Sequence, residues 1–182
     1  MKYAVLLLSF SLLPLTVSAQ QGTFWTTECY STDEDILQEE LFQKDGRWEH
    51  THVAYEEENC QKAYLRFQQV SKARLAGQKL DLTHVETSYT PLSEEVAEAL
   101  NSVAWCGISH WRQHEKQVVT GLVCGDYKAA QAGDMTYSIF KVSSLSKTVR
   151  VFLWGKATPA LDGKSEATRF QDLNERPFYL IH

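Results

Sequence analysis

The chain has 182 residues, a formal net charge of −5, and a composition that is 43% hydrophobic and 12% aromatic. That length suffices for one domain with a real core. The acidic balance and the lack of clustered Lys and Arg exclude a phosphate-backbone partner, so no nucleic acid is expected.

The opening MKYAVLLLSFSLLPLTVSAQQG carries Lys2, an apolar run from Ala4 to Leu13, Pro14, and the small residues Val17, Ser18 and Ala19 before Gln20. This is the pattern of a secretory signal peptide at 1–19, with cleavage expected after Ala19. The run is short for a bilayer span, and no cysteine follows it to take a lipid anchor. A single domain over 20–182 is expected, in a periplasmic or extracellular compartment. There, an even number of cysteines reads as disulfides, and Cys29, Cys60, Cys106 and Cys124 permit three connectivities. Cys29–Cys60 with Cys106–Cys124 is favoured because each pair spans one contiguous block. Thiolate zinc is the weaker alternative, since the short C-x-x-C spacing of a zinc knuckle is missing.

In chain order, TFWTTECY reads as a first strand. ILQEELFQ and RWEHTHVAY form a hairpin about Lys44-Asp45-Gly46, where Asp-Gly supplies the positive φ of a tight turn. AYLRFQQVSKARL and KLDLTHVETSY follow, each alternating one apolar face with a polar one. TPLSEEVAEALNSVAW changes period. Thr90 can cap a helix with Pro91 in its first turn, and Val96, Ala99, Leu100 and Val103 recur at helical spacing. KQVVTGLVCG, TYSIFKVSS and TVRVFLWG return to strand character, and a loop with Thr158-Pro159 and Asp162-Gly163 leads to RPFYLI. The expectation is an all-β, antiparallel fold of eight to ten strands with one amphipathic helix and two disulfides. Closure into a barrel hides the strand edges; a sandwich is the alternative. Sequential hairpin-like spacing favours up-and-down wiring.

Two stretches near the start of the expected domain resemble known barrel families. GTFW is similar to the Gly-x-Trp entry of lipocalin-type barrels, with Gly22 and Trp25 one position further apart. Trp25 to Gly77 resembles the domain of the adenomatosis polyposis coli down-regulated (APCDD-like) proteins: Trp25-Thr26-Thr27-Glu28-Cys29, a long hairpin, Tyr55 through Cys60, then AYLRFQQVSKARLAG. The match covers about a third of the chain after the leader. It implies a lipocalin-like, calycin-type barrel or half-barrel that shelters an acyl chain, with Cys29 paired to Cys60, and nothing in it implies catalysis. Trp25, Cys29, Tyr55 and Cys60 carry over as structural positions.

The aromatic residues suggest an apolar pocket lined by Trp25, Trp48, Phe67, Leu100, Phe140, Phe152 and Trp154, against which stands a simply filled barrel. His50 and His52 share one strand face, the spacing at which two imidazoles can hold a metal, with Glu49 and Glu56 near in sequence. Two ligands do not define a site, so no metal and no cofactor is expected. Glu56-Glu57-Glu58 reads as a solvated turn beside a disulfide, because adjacent carboxylates without a bend cannot converge on calcium. His110 and His114 would converge only on a helix, which the surrounding pattern does not favour. No Gly-x-Ser-x-Gly elbow is present and the cysteines are committed, so an enzyme is not expected. The function expected is an exported binding protein for a lipid or other apolar small molecule. A protein-binding module, such as an inhibitor of an envelope enzyme, is the alternative, and a hydrolase using the histidines comes third.

Overall fold

The computed structural model describes residues 22–33 and 35–181; the expected leader at 1–19 lies outside the described residues. Eight antiparallel strands build the barrel: β1 (Thr23–Thr26), β2 (Ile36–Lys44), β3 (Arg47–Glu57), β4 (Gln61–Ala76), β5 (Lys79–Pro91), β6 (Met135–Ser144), β7 (Arg150–Lys156) and β8 (Phe178–Ile181). Each pairs with its neighbour in sequence, and β1 closes the ring by pairing with both β8 and β2. This is up-and-down wiring, and closure of the ring leaves no wall edge to be covered by other means. The β2–β3 turn holds Asp45 at φ 50° and Gly46 at φ 74°. Two consecutive left-handed residues make the tight hairpin turn that Asp-Gly favours. They fix Lys44 opposite Arg47, and hence Leu41 opposite His50 and Glu39 opposite His52.

One end of the barrel is solid. Trp25, Leu41, Trp48, Leu80, Phe152 and Phe178 form a buried cluster, with Ala73, Leu82, Phe140, Trp154 and Leu180 packed against it. Phe152 is its hub, with ring centroids 5.5 Å from Trp48, 5.8 Å from Trp25 and 6.0 Å from Phe140. Trp25, Trp48, Phe140 and Phe152, expected to line a pocket, instead fill this end. The interior of an eight-stranded barrel is narrow enough for large rings from opposite walls to meet.

The other end carries a cap inserted between β5 and β6. Helix α1 (Glu94–Ser102) starts at Ser93, whose Oγ accepts from the Val96 backbone N–H at 3.3 Å. The start expected at Thr90 and Pro91 is therefore three residues early. Pro91 still pairs with Leu65, and its carbonyl accepts from the His114 N–H at 2.8 Å, so both residues stay in the strand. The helix packs through Ala97 and Leu100, while Val103 lies beyond its end and is exposed. The stretch KQVVTGLVCG is not one strand. Gln117–Val118 adds to β5 opposite Tyr89 and Ser88, and Val123–Cys124 forms a small hairpin with Tyr127–Lys128. In that hairpin Gly125 has φ +60°, and a Cβ there would lie 2.8 Å from the Trp105 ring.

The disulfides join Cys29 to Cys60 and Cys106 to Cys124. The second bond sits inside the cap's own core with Ala97, Trp111, Val119 and Ala129. A cap this small has little apolar area to bury, and the crosslink limits its unfolded freedom. The first bond ties the short strand Tyr30–Ser31, paired on Leu37 and Ile36 of β2, to the β3–β4 turn. Glu56 and Glu58 are exposed beside that turn, and Lys62 lies 3.4 Å from Glu57 and 3.9 Å from Glu56, as suits a solvated turn.

A loop between β7 and β8 is clasped to the outer wall. Arg169 Nη2 donates to Asp81 Oδ1 at 2.6 Å, and its Nη1 donates to the Ser138 carbonyl at 2.6 Å. Arg74 holds the other Asp81 oxygen, also at 2.6 Å.

Candidate functional site

Between the solid end and the cap the barrel is hollow. A cavity of about 420 Å³ is bordered by His50, His52, Phe67, Gln69, His84 and Trp154 among others. A second, of about 450 Å³, lies under the cap against Leu37, Ala54, Leu65, Tyr89, Leu100 and Trp105. His52 and Phe67 border both. The interior thus divides into a mostly apolar chamber beneath the helix, which also holds Asp35 and His52, and a chamber belted by imidazoles and amides. Of the residues expected in a pocket, Phe67, Leu100 and Trp154 border these spaces.

The polar belt follows from strand alternation and one irregularity. On β3, Trp48, His50, His52 and Ala54 fall on the inner face at period two. On β5 the ladder slips between Val70 and Ser71 of its partner. That bulge puts two residues three apart on one side, and Thr87 Oγ1 lies 2.9 Å from His84 Nε2. Burial pushes the His84 imidazole below its ordinary pKa.

The most concentrated chemistry centres on Glu39, which is 6% exposed. Its two oxygens have separate partners. Oε1 accepts from the Tyr30 hydroxyl at 2.6 Å and lies 3.7 Å from Arg176 Nη1. Oε2 lies 2.7 Å from His50 Nε2 and 3.8 Å from His52 Nε2. Arg176 stacks on Tyr30, its guanidinium carbon 3.2 Å from the ring centroid. Tyr30 is brought here by the short strand that the Cys29–Cys60 bond anchors. Burial alone would raise the Glu39 pKa, but the hydrogen bond and charge from His50, then the charge of His52 and the Tyr30 bond, hold it at about 2. Burial and the neighbouring His50 push His52 down to about 4, against the pull of Glu39. Tyr30 is raised well above the phenol range by burial and by its bond to Glu39.

The carboxylate of this group is not one of those near in sequence. Glu49 bonds Arg47 and Gln68, and Glu56 stands exposed at the turn. Glu39 reaches the histidines across the β2–β3 ladder, and the two-residue Asp45-Gly46 turn was the available signal, since it fixes which residues oppose. His110 and His114 are exposed cap residues that do not join the group.

No protein-family model matches the chain, and no curated protein matches it.

Proposed function

We propose that the protein is an exported carrier that shelters an apolar or acyl-bearing small molecule inside the barrel, as the APCDD-like and lipocalin-like resemblances imply. The observation that carries this reading is the pair of cavities meeting at His52 and Phe67. Ligand sites are concave, mostly apolar, and furnished with a few polar groups that set orientation. Here the apolar part belongs under α1, against Leu37, Leu65 and Leu100. The polar end points to the belt of His52, Gln69 and His84. Two disulfides suit an oxidising compartment, and the described residues include no helix long and apolar enough to cross a membrane.

Native mass spectrometry of protein purified from its own compartment tests the proposal. A mass increment that is lost on denaturation and identified as an apolar molecule is the expected result. No increment, together with no saturable uptake of a fluorescent fatty acid, overturns it. The alternative, a protein-binding module, draws on the exposed Val103, Val118, Leu122 and Val123 of the cap. It becomes the better reading in that case.

A further inference from the structure

We propose that Glu39, His50 and His52 form a site for one divalent transition-metal ion, zinc in the first instance, with an open coordination position facing the cavity. This does not rest on the carrier reading, and its test uses no lipid.

One donor atom from each of Glu39, His50 and His52 lies within 4.8 Å of the other two, and both Nε2 atoms approach Glu39 Oε2. A tetrahedral zinc bound at its usual distances places its donors about 3.3 Å apart. The observed Glu39–His50 separation of 2.7 Å and Glu39–His52 separation of 3.8 Å bracket that value. A movement of about 1 Å in the side chains completes the triangle, and the strands need not move. The ion would take the place of the proton now shared between Glu39 Oε2 and His50 Nε2.

A plain buried ion pair accounts for Glu39 and His50 but not for His52. That imidazole makes no hydrogen bond among the described residues, and it holds Nε2 toward the same carboxylate oxygen that His50 engages. The other carboxylate oxygen is already held by Tyr30, as a ligating carboxylate is usually held by an outer partner. Two imidazoles and one carboxylate favour zinc or another transition ion over calcium or magnesium, which select oxygen donors. His52 borders both cavities, which supplies an entry path and room for a fourth ligand. Arg176 opposes the ion: its guanidinium, 3.7 Å from Oε1, is a competing cation.

The test is calorimetric titration of zinc chloride into EDTA-stripped, disulfide-intact protein at neutral pH. One saturable site per chain is expected. His52→Ala leaves the Glu39–His50 pair in place and should weaken binding at least tenfold, since loss of an outer partner alone typically costs ten- to a hundredfold. The His110→Ala/His114→Ala double variant should bind as the parent does. Arg176→Gln should bind more tightly, an effect that a purely structural triad would not produce. Cobalt(II) gives a second readout on unaltered protein: visible d–d bands of low-symmetry nitrogen and oxygen coordination, displaced by one equivalent of zinc. Absence of a one-to-one site, a spectrum of free aquo cobalt, or undiminished zinc binding by folded His52→Ala would each overturn the proposal.

Discussion

His52 and Phe67 face each other across the β3–β4 ladder, ring centroids 5.7 Å apart and nearly perpendicular at 87°. Because both border the two cavities, this pair stands where the chamber beneath the helix adjoins the polar belt.

Phe67→Ala should therefore merge the chambers. The preference for long-chain over medium-chain fatty-acid probes should rise, measured by displacement of a fluorescent analogue. The ring is only partly buried, so the stability cost should be about 1–3 kcal/mol, below that of a fully buried phenylalanine. Unchanged chain-length preference would mean that ligands do not pass this point.

Leu100 closes the apolar chamber from the cap side and is half-buried. Leu100→Ala should cost about 1–2 kcal/mol in urea unfolding, because the transfer and cavity contributions scale with the area the side chain buries. It should also change uptake of the same probe. Leu100→Asp, which places a carboxylate against Leu37 and Leu65, should lower both stability and uptake further. A loss of stability with unaltered uptake would leave Leu100 as packing between cap and barrel only.

The barrel was legible because its evidence is local: period-two strands and short turns leave sequential antiparallel pairing as the simplest way to hide edges. The Asp45-Gly46 turn even encoded the Glu39–His52 pairing. Proximity in sequence pointed instead to Glu49 and Glu56, but neighbours along a strand alternate faces, whereas neighbours across a hairpin share one. The cap was least legible. Its few buried residues, Ala97, Trp111, Val119 and Ala129, come together through the Cys106–Cys124 bond and the annexed Gln117–Val118 strand, neither of which leaves a periodic trace. The division between solid and hollow ends was also invisible, because Trp48 and His52 occupy equivalent inward positions on one strand. Only the residues on facing walls decide which space is filled.

Acid should destabilise the fold in two overlapping ranges. Glu39 titrates at about 2 when folded against an ordinary value of 4.5, so the unfolded chain takes up its proton first. Its contribution is complete above about pH 4.5 and is lost as the pH falls toward 2. His52 titrates at about 4 when folded against 6.5, and here too the unfolded chain binds the proton first. Its contribution is complete above about pH 6.5 and is lost as the pH falls toward 4. Both signs give stability decreasing with acidification. The Glu39 part should be on the order of 3 kcal/mol. Urea midpoints across a pH series check it: Glu39→Gln should flatten the lower arm, and His52→Ala the upper. An acid slope identical in all three proteins would assign the loss to other carboxylates.

The β7–β8 loop depends on Arg169, which is 8% exposed and supplies donors to Asp81, to the Ser138 carbonyl and, at 3.4 Å, to the Leu80 carbonyl. Asp81, 5% exposed, keeps only the solvent-facing Arg74 if Arg169 is removed. A buried carboxylate that loses its inner partner is costly because its charge is no longer compensated where water cannot reach. Arg169→Ala should therefore destabilise by about 2–3 kcal/mol, less than for a deep pair because one loop alone covers this one. Asp81→Asn should also destabilise. The double variant should cost less than the sum of the two, since the second change removes the charge that the first leaves stranded. Hydrogen exchange localises the effect: amides of the loop, beginning with Gly163, whose N–H donates to the Thr168 carbonyl at 2.9 Å, should lose protection while the β3–β4 ladder keeps it. Strict additivity of the two substitutions would show that Asp81 and Arg169 act separately, and the loop would then be held by its apolar contacts instead.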